Sequence, residues 1–264
     1  AGGKVHPASP TRVAMTRAEL LAKSGRLVEA DVLLTQMRLK EPDSAWIKEA
    51  FARRAMRDRN DNESVHLYRE AIGMGYENPA AYLVSAKERL DRSQAGGLDY
   101  GGQGNRQYVE EALAEIRRAL ALDPGSVAAY QLMGRAFFVS PTVDPTMVDE
   151  LRKGASSGDA GAQVRFYLGL LYQRLGREEA YLNELTALAS SEETPAHLRR
   201  EVVKRLQADP FMSAKLALQD LASEGKLDEG RRRIEPGSAD SFKLNPAQRQ
   251  RLQIWLAEQE ASPN

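Results

Sequence analysis

The apolar positions fall at intervals of three and four, the spacing that lines one face of an α-helix. The clearest stretch is 112–137. Ala112, Leu113, Ile116, Ala119 and Leu120 make the inner stripe of one helix, and Asp123-Pro124-Gly125 interrupts it. Proline cannot continue a helix, and Ser126 is suited to cap the next one, so two amphipathic helices meet at this junction. The small residues Ala112, Ala119 and Gly134 stand where two backbones have to approach closely.

Similar punctuation divides the rest of the chain. Ser9-Pro10 opens a helix that ends near Ser24-Gly25, a second runs over 27–40, and Glu41-Pro42 stops it. A pair follows over 45–78, with Asn60-Asp61-Asn62 as its turn and an extra residue absorbed near Gly73–Gly75. The next pair opens at Pro79, and its second helix starts only near Asn105, after SQAGGLDYGGQGN. That segment is too poor in apolar residues to pack, so an inserted loop is expected over 93–104. It lacks the Lys-Ser/Thr pair of a phosphate-binding loop. Helices over 127–139 and 144–155 come next, then a pair marked by Leu168-Gly169, Tyr172 and Gly176, in which Leu185 and Leu188 are core. The pattern weakens after Thr194-Pro195, with helices expected over 197–207, 212–224 and 226–234. Pro236-Gly237 ends this run. Asn245-Pro246 then opens a last helix whose Leu252, Trp255 and Leu256 form an apolar stripe.

The junction at 112–137 resembles that between tetratricopeptide repeats, which recur about every 34 residues. The resemblance rests on Ala112, Ile116, Ala119, Pro124, Tyr130, Met133-Gly134 and Phe137, and on Leu21, Gly25, Ala30, Leu34 and Pro42 in the first unit. It covers 11–193 well and 194–234 weakly, where other helical-repeat families stay open. It implies an all-α fold, a right-handed solenoid of antiparallel helix pairs with about five to six degenerate repeats. The expected organisation is a flexible tail at 1–8, a repeat array at 9–234, and a linker with a C-terminal capping helix at 235–264.

Composition narrows the function. With 264 residues, 28% of them charged, and a formal net charge of +0, the chain has no global field to attract nucleic acid or anionic lipid. No apolar run reaches the roughly 18 residues of a membrane span, so no direct membrane insertion is expected. The absence of cysteine removes disulfides and thiolate chemistry and leaves both cytoplasm and periplasm open. The chain starts without methionine, which suggests a processed form or a piece of something larger, with any signal peptide already removed.

Catalytic chemistry is not expected. The three histidines, His6, His66 and His197, lie far apart in sequence and make neither a triad nor a metal-ligand spacing, so no cofactor or metal is expected. Carboxylate pairs such as Glu110-Glu111 and Glu178-Glu179 suit helix starts and solvated faces. The resemblance instead implies a concave groove lined by the first helix of each pair. One recurrent groove slot holds Glu19, Arg53, Lys87, Arg135 and Leu170, and neighbouring slots hold Trp46, Arg57, Gln131, Phe138 and Gln173. Three successive cations describe either a solvated basic face or a clamp for an acidic peptide or the C-terminus of a partner. Asparagine is missing from these slots, so the carboxylate-clamp variant of the family is not expected. The expected function is a non-enzymatic scaffold that binds a partner protein or peptide in the groove. The alternative is an accessory repeat domain of a larger enzyme or cell-envelope assembly protein. A helical hydrolase, the third reading, lacks a nucleophile and base.

Overall fold

The computed structural model describes residues 10–95, 106–155, 161–237 and 241–261. The tail at 1–8 and most of the expected loop lie outside them. The described residues contain fourteen helices and no strand, and consecutive helices pack as antiparallel pairs. The fold is all-α. The structure divides into two compact units, 1–160 and 161–264.

In the first unit α1 (Pro10–Lys23) pairs with α2 (Leu27–Lys40), α3 (Ala45–Arg57) with α4 (Asp61–Gly73), α5 (Pro79–Ala95) with α6 (Arg106–Leu122), and α7 (Val127–Val139) with α8 (Pro145–Ala155). Each first helix also packs on the neighbouring pair, as α1 does on α3 and α5 on α7. The core follows the sequence pattern. Met15, Ala18, Leu34, Met37, Ile47, Ala50 and Phe51 form one buried cluster between the first two pairs. Further on, Ile116, Ala119, Met133 and Phe137 are all at most 1% exposed. Tyr130 lies against Gly154 so closely that a Cβ there would sit 2.2 Å from the ring's Cγ.

Local signals set the helix ends. Asn60 accepts from the Glu63 backbone N–H at 3.4 Å and donates to the Glu63 carboxylate at 2.7 Å, which closes the first turn of α4. Asn60→Ala is expected to cost about 1 kcal/mol, read as an earlier urea midpoint with an unchanged slope. Gly75, at φ +83°, supplies the left-handed turn that absorbs the extra residue before Pro79.

One boundary is corrected. Helix α5 runs on to Ala95, so the loop does not begin at Ser93. Ser93 is buried, its hydroxyl donates to the Leu90 carbonyl at 2.8 Å, and Gln94 accepts from Arg135 across to α7. These contacts hold the last turn where composition alone suggests a break.

In the second unit α9 (Gly161–Arg174) pairs with α10 (Glu178–Ser190), α11 (Ala196–Ala208) with α12 (Pro210–Ser223), and α13 (Leu227–Ile234) with α14 (Pro246–Ala261). Leu185 and Leu188 are buried as expected. Asp209 caps α12 by accepting from the Phe211 and Met212 N–H groups at 3.0 Å, with Pro210 at the first helical position. Asn245 and Gln248 satisfy each other's backbone N–H at the start of α14. Leu252 and Leu256 are buried, and α14 packs on α12 and α13.

Candidate functional site: the inner face of the first unit

Helix α3 carries Trp46, Arg53 and Arg57 on one strip, since they follow one another at seven and four residues. Trp46 is 43% exposed, stands edge-on to Tyr76 with ring centroids 4.9 Å apart, and carries the Arg12 guanidinium 5.2 Å above its ring. It is a partly sealed aromatic with one open side.

Arg53 is the centre of a charged cluster. Its guanidinium grips the Glu49 carboxylate with both prongs, at 2.7 and 2.8 Å, and also pairs with Glu19 on α1. Glu49 is 2% exposed and accepts from the Tyr76 hydroxyl as well. Burial pushes its carboxyl above the ordinary range and outweighs the pull of Arg53. The same buried surroundings, with Glu49 adding to them, push the Tyr68 phenol up to about 12. Arg57 pairs with Asp31 and Asp58, each at 3.1 Å, and Arg54 meets the same two carboxylates.

The other two cations of the row are joined through one carboxylate. Asp91 on α5 accepts from Lys87 at 2.9 Å and from Arg135 on α7 at 2.7 Å. The hydrogen bonds and charges of these two cations hold the Asp91 carboxyl below its ordinary value, against the opposing effect of burial. The three cations are set against Glu19, Glu49 and Asp91, in one cluster around Arg53 and another around Asp91. An acidic ligand meets cations that already have carboxylate partners. Gln131 is half-buried on α7 and Phe138 is 45% exposed near its end. Gln173 is exposed on α9 and belongs to the second unit.

Between α1, α2 and α3 lies a cavity of about 180 Å3 that the apolar spacing alone does not announce. Its floor is Met15, Ala18, Ala22, Ala30, Leu34 and Ala50, and its rim carries Glu19, Lys23, Arg53, Arg54 and Arg57. A dry cavity of about 150 Å3 takes up a benzene ring, so this one is sized for one aromatic or branched aliphatic side chain. Alanines make the space: at Ala18, Ala22, Ala30 and Ala50 the wall stops at Cβ. The partners of the cations are partly legible in the sequence, because Glu49–Arg53 and Lys87–Asp91 are four apart on a helix. Glu19 stands one repeat before Arg53 in the same slot.

Ala18, Ala52 and Ala86 recur at the family's spacing of about 34 residues, each on the first helix of its pair and each buried. Gly134 and Gly169 take the same place in the later pairs, buried as well. The helix pairs resemble tetratricopeptide repeats in this spacing. At this slot the side chains are no larger than a methyl group, and at Gly169 a Cβ would lie 3.5 Å from the Glu184 side chain of the paired helix α10.

Over 118 residues, 44% of its length, the chain is 32% identical to type IV pilus assembly protein PilF of Pseudomonas aeruginosa, and the match spans 45% of that relative's length. A solved thermophilic TPR protein of Thermus thermophilus superposes with a TM-score of 0.45 at 15% identity, covering 74% of this protein and 98% of that one. No family model matches the chain. None of the described helices is long and apolar enough to cross a membrane.

Proposed function

We propose that this protein is a non-enzymatic scaffold that holds a partner protein on the inner face of its first unit, with the cavity between α1, α2 and α3 as the anchor point. The observation that carries this reading is the cavity itself: an apolar floor of side-chain size, open at a charged rim. Binding energy in protein interfaces concentrates in an apolar or aromatic anchor that fills such a pocket, with the surrounding polar groups fixing orientation. Trp46, Arg53, Arg57, Lys87, Gln131, Arg135 and Phe138 form the extended surface in this reading. Acidic residues of the partner would trade places with Glu19 or Asp91, the two partly exposed carboxylates. That exchange replaces one ion pair by another, so the cations supply register and the anchor supplies affinity.

The partly matching relative is named for type IV pilus assembly. We extend that to this protein as a role in assembling a pilus or a related envelope structure, where the partner is a component of the assembly.

The test fills the cavity. Ala22→Leu, at its half-buried edge, is expected to abolish capture of the partner from the cell that makes this protein while the helical circular dichroism stays unchanged. A photo-crosslinking residue at Lys23 should label the same partner, and excess unlabelled protein should compete. Undiminished capture by Ala22→Leu would remove the anchor. A captured partner unrelated to any pilus or envelope assembly would remove the assembly role and leave the scaffold.

A further inference from the structure

The second unit carries a different kind of surface. Along α11, Ala196, Arg200, Val203 and Gln207 fall on one exposed stripe at intervals of four, three and four residues, flanked by Arg199 and Lys204. They line a shallow, open concavity on the surface of this one helix. Val203 is 36% exposed at its centre.

The charges here are not neutralised as they are in the first unit. Arg199 spends its guanidinium on the carbonyl oxygens of Ser191, Glu192 and Thr194, at 2.8 to 3.1 Å, so it holds the turn between α10 and α11 without meeting a carboxylate. Arg200 and Lys204 have no ion pair among the described residues. Glu201, the carboxylate within α11, is committed to Arg205 at 2.8 Å, and Arg205 also lies over the Phe166 ring of α9. No carboxylate among the described residues lines the concavity.

We propose that this face of α11 docks a short acidic segment of a partner protein, with alternate carboxylates on Arg200 and Lys204 and a neighbouring apolar side chain on Val203. Arg200 and Lys204 are one turn apart, about 6 Å along the helix axis. Alternate side chains of an extended segment are about 6.6 Å apart, so a Glu-x-Glu run lying along α11 brings its carboxylates over the two cations. Three cations around one apolar residue are too few for an anionic membrane, which draws on clusters of roughly four to eight Lys and Arg. They are also too few for the long track of phosphate contacts that binds nucleic acid. The charge, the reach and the apolar centre together fit a peptide.

The test uses the full-length protein, labelled for amide NMR, and a synthetic peptide containing Glu-Ser-Glu-Leu. Its resonances from 196–207 should shift on titration, and the twin peptide with Gln-Ser-Gln-Leu should bind about tenfold more weakly or worse. Arg200→Glu with Lys204→Glu should lose the acidic peptide and gain a Lys-Ser-Lys-Leu peptide, with unchanged helicity because both residues are exposed. The charge swap separates recognition from damage to the fold. Equal binding of the glutamine twin would overturn the proposal, as would shifts confined to other helices, no binding at all, or α11 shifts with phosphatidylserine vesicles but not with the peptide.

Discussion

Phe137→Ala is expected to lower the stability of the first unit by roughly 3–5 kcal/mol, because the ring is 1% exposed and its loss leaves a cavity. Tyr130, 7% exposed, lies seven residues earlier on α7 and is laid on Gly154. The tight approach makes the reverse change equally informative. An added methyl at 154 has to push the Tyr130 ring or separate α7 from α8, and overpacking of this kind costs about 1–3 kcal/mol. Gly154→Ala gains about 1 kcal/mol of helix propensity, so a net loss would come from the clash. Gly154→Leu should be worse. Thermal melts of the single mutants and of Tyr130→Ala with Gly154→Ala make a cycle in which the double mutant loses less than the sum. Additive losses would mean that ring and glycine do not touch.

The second large effect concerns Arg53. Removing it leaves the Glu49 carboxylate buried with only the Tyr76 hydroxyl, and breaking a buried pair from one side costs about 3–5 kcal/mol. Arg53 is itself substantially exposed, and Glu49 can take a proton instead, so Arg53→Met is expected to cost about 2 kcal/mol at neutral pH. The sign of the pH dependence follows from the direction of the shift. The Glu49 pKa is already raised in the folded wild type above its ordinary 4.5, and loss of Arg53 raises it further. The stability that this group contributes is therefore full below about 4.5 and lost as pH rises through the folded value. Urea unfolding from pH 4 to 8 should show the penalty of Arg53→Met shrinking toward the acid end, and Glu49→Gln should flatten the curve. A penalty that is constant with pH would mean that Glu49 does not carry it.

This cluster also limits what charge reversal can reveal about partner binding. By sequence spacing Arg53, Lys87 and Arg135 form one basic row, and reversing all three looks harmless to the fold. In the structure Arg53 is bound to a buried carboxylate and Arg135 reaches across from α7 to α5. Loss of binding in such a triple mutant would mix recognition with destabilisation. Filling the cavity at Ala22 avoids the problem.

The sequence by itself determined where the helices run and which faces are buried. Both are local properties: an apolar spacing of three and four, Pro and Asn at the caps, and Gly at left-handed turns act within a few residues, so α2 and α7 fall on the expected 27–40 and 127–139. The small residues at 18, 52 and 86 are legible for the same reason, since a repeat places the same contact at the same slot. What only the tertiary structure decided involves groups from different helices. The cations are neutralised because Glu19 arrives from α1 and Asp91 of α5 meets Arg135 of α7, and the cavity exists because alanines of three helices face one another. The extra turn of α5 is held by contacts such as that of Gln94 with Arg135, forty-one residues away. Spacing along the sequence says which residues share a helix face. Whether two opposed faces leave a gap or close an ion pair depends on how the helices cross, and that is fixed only when they pack.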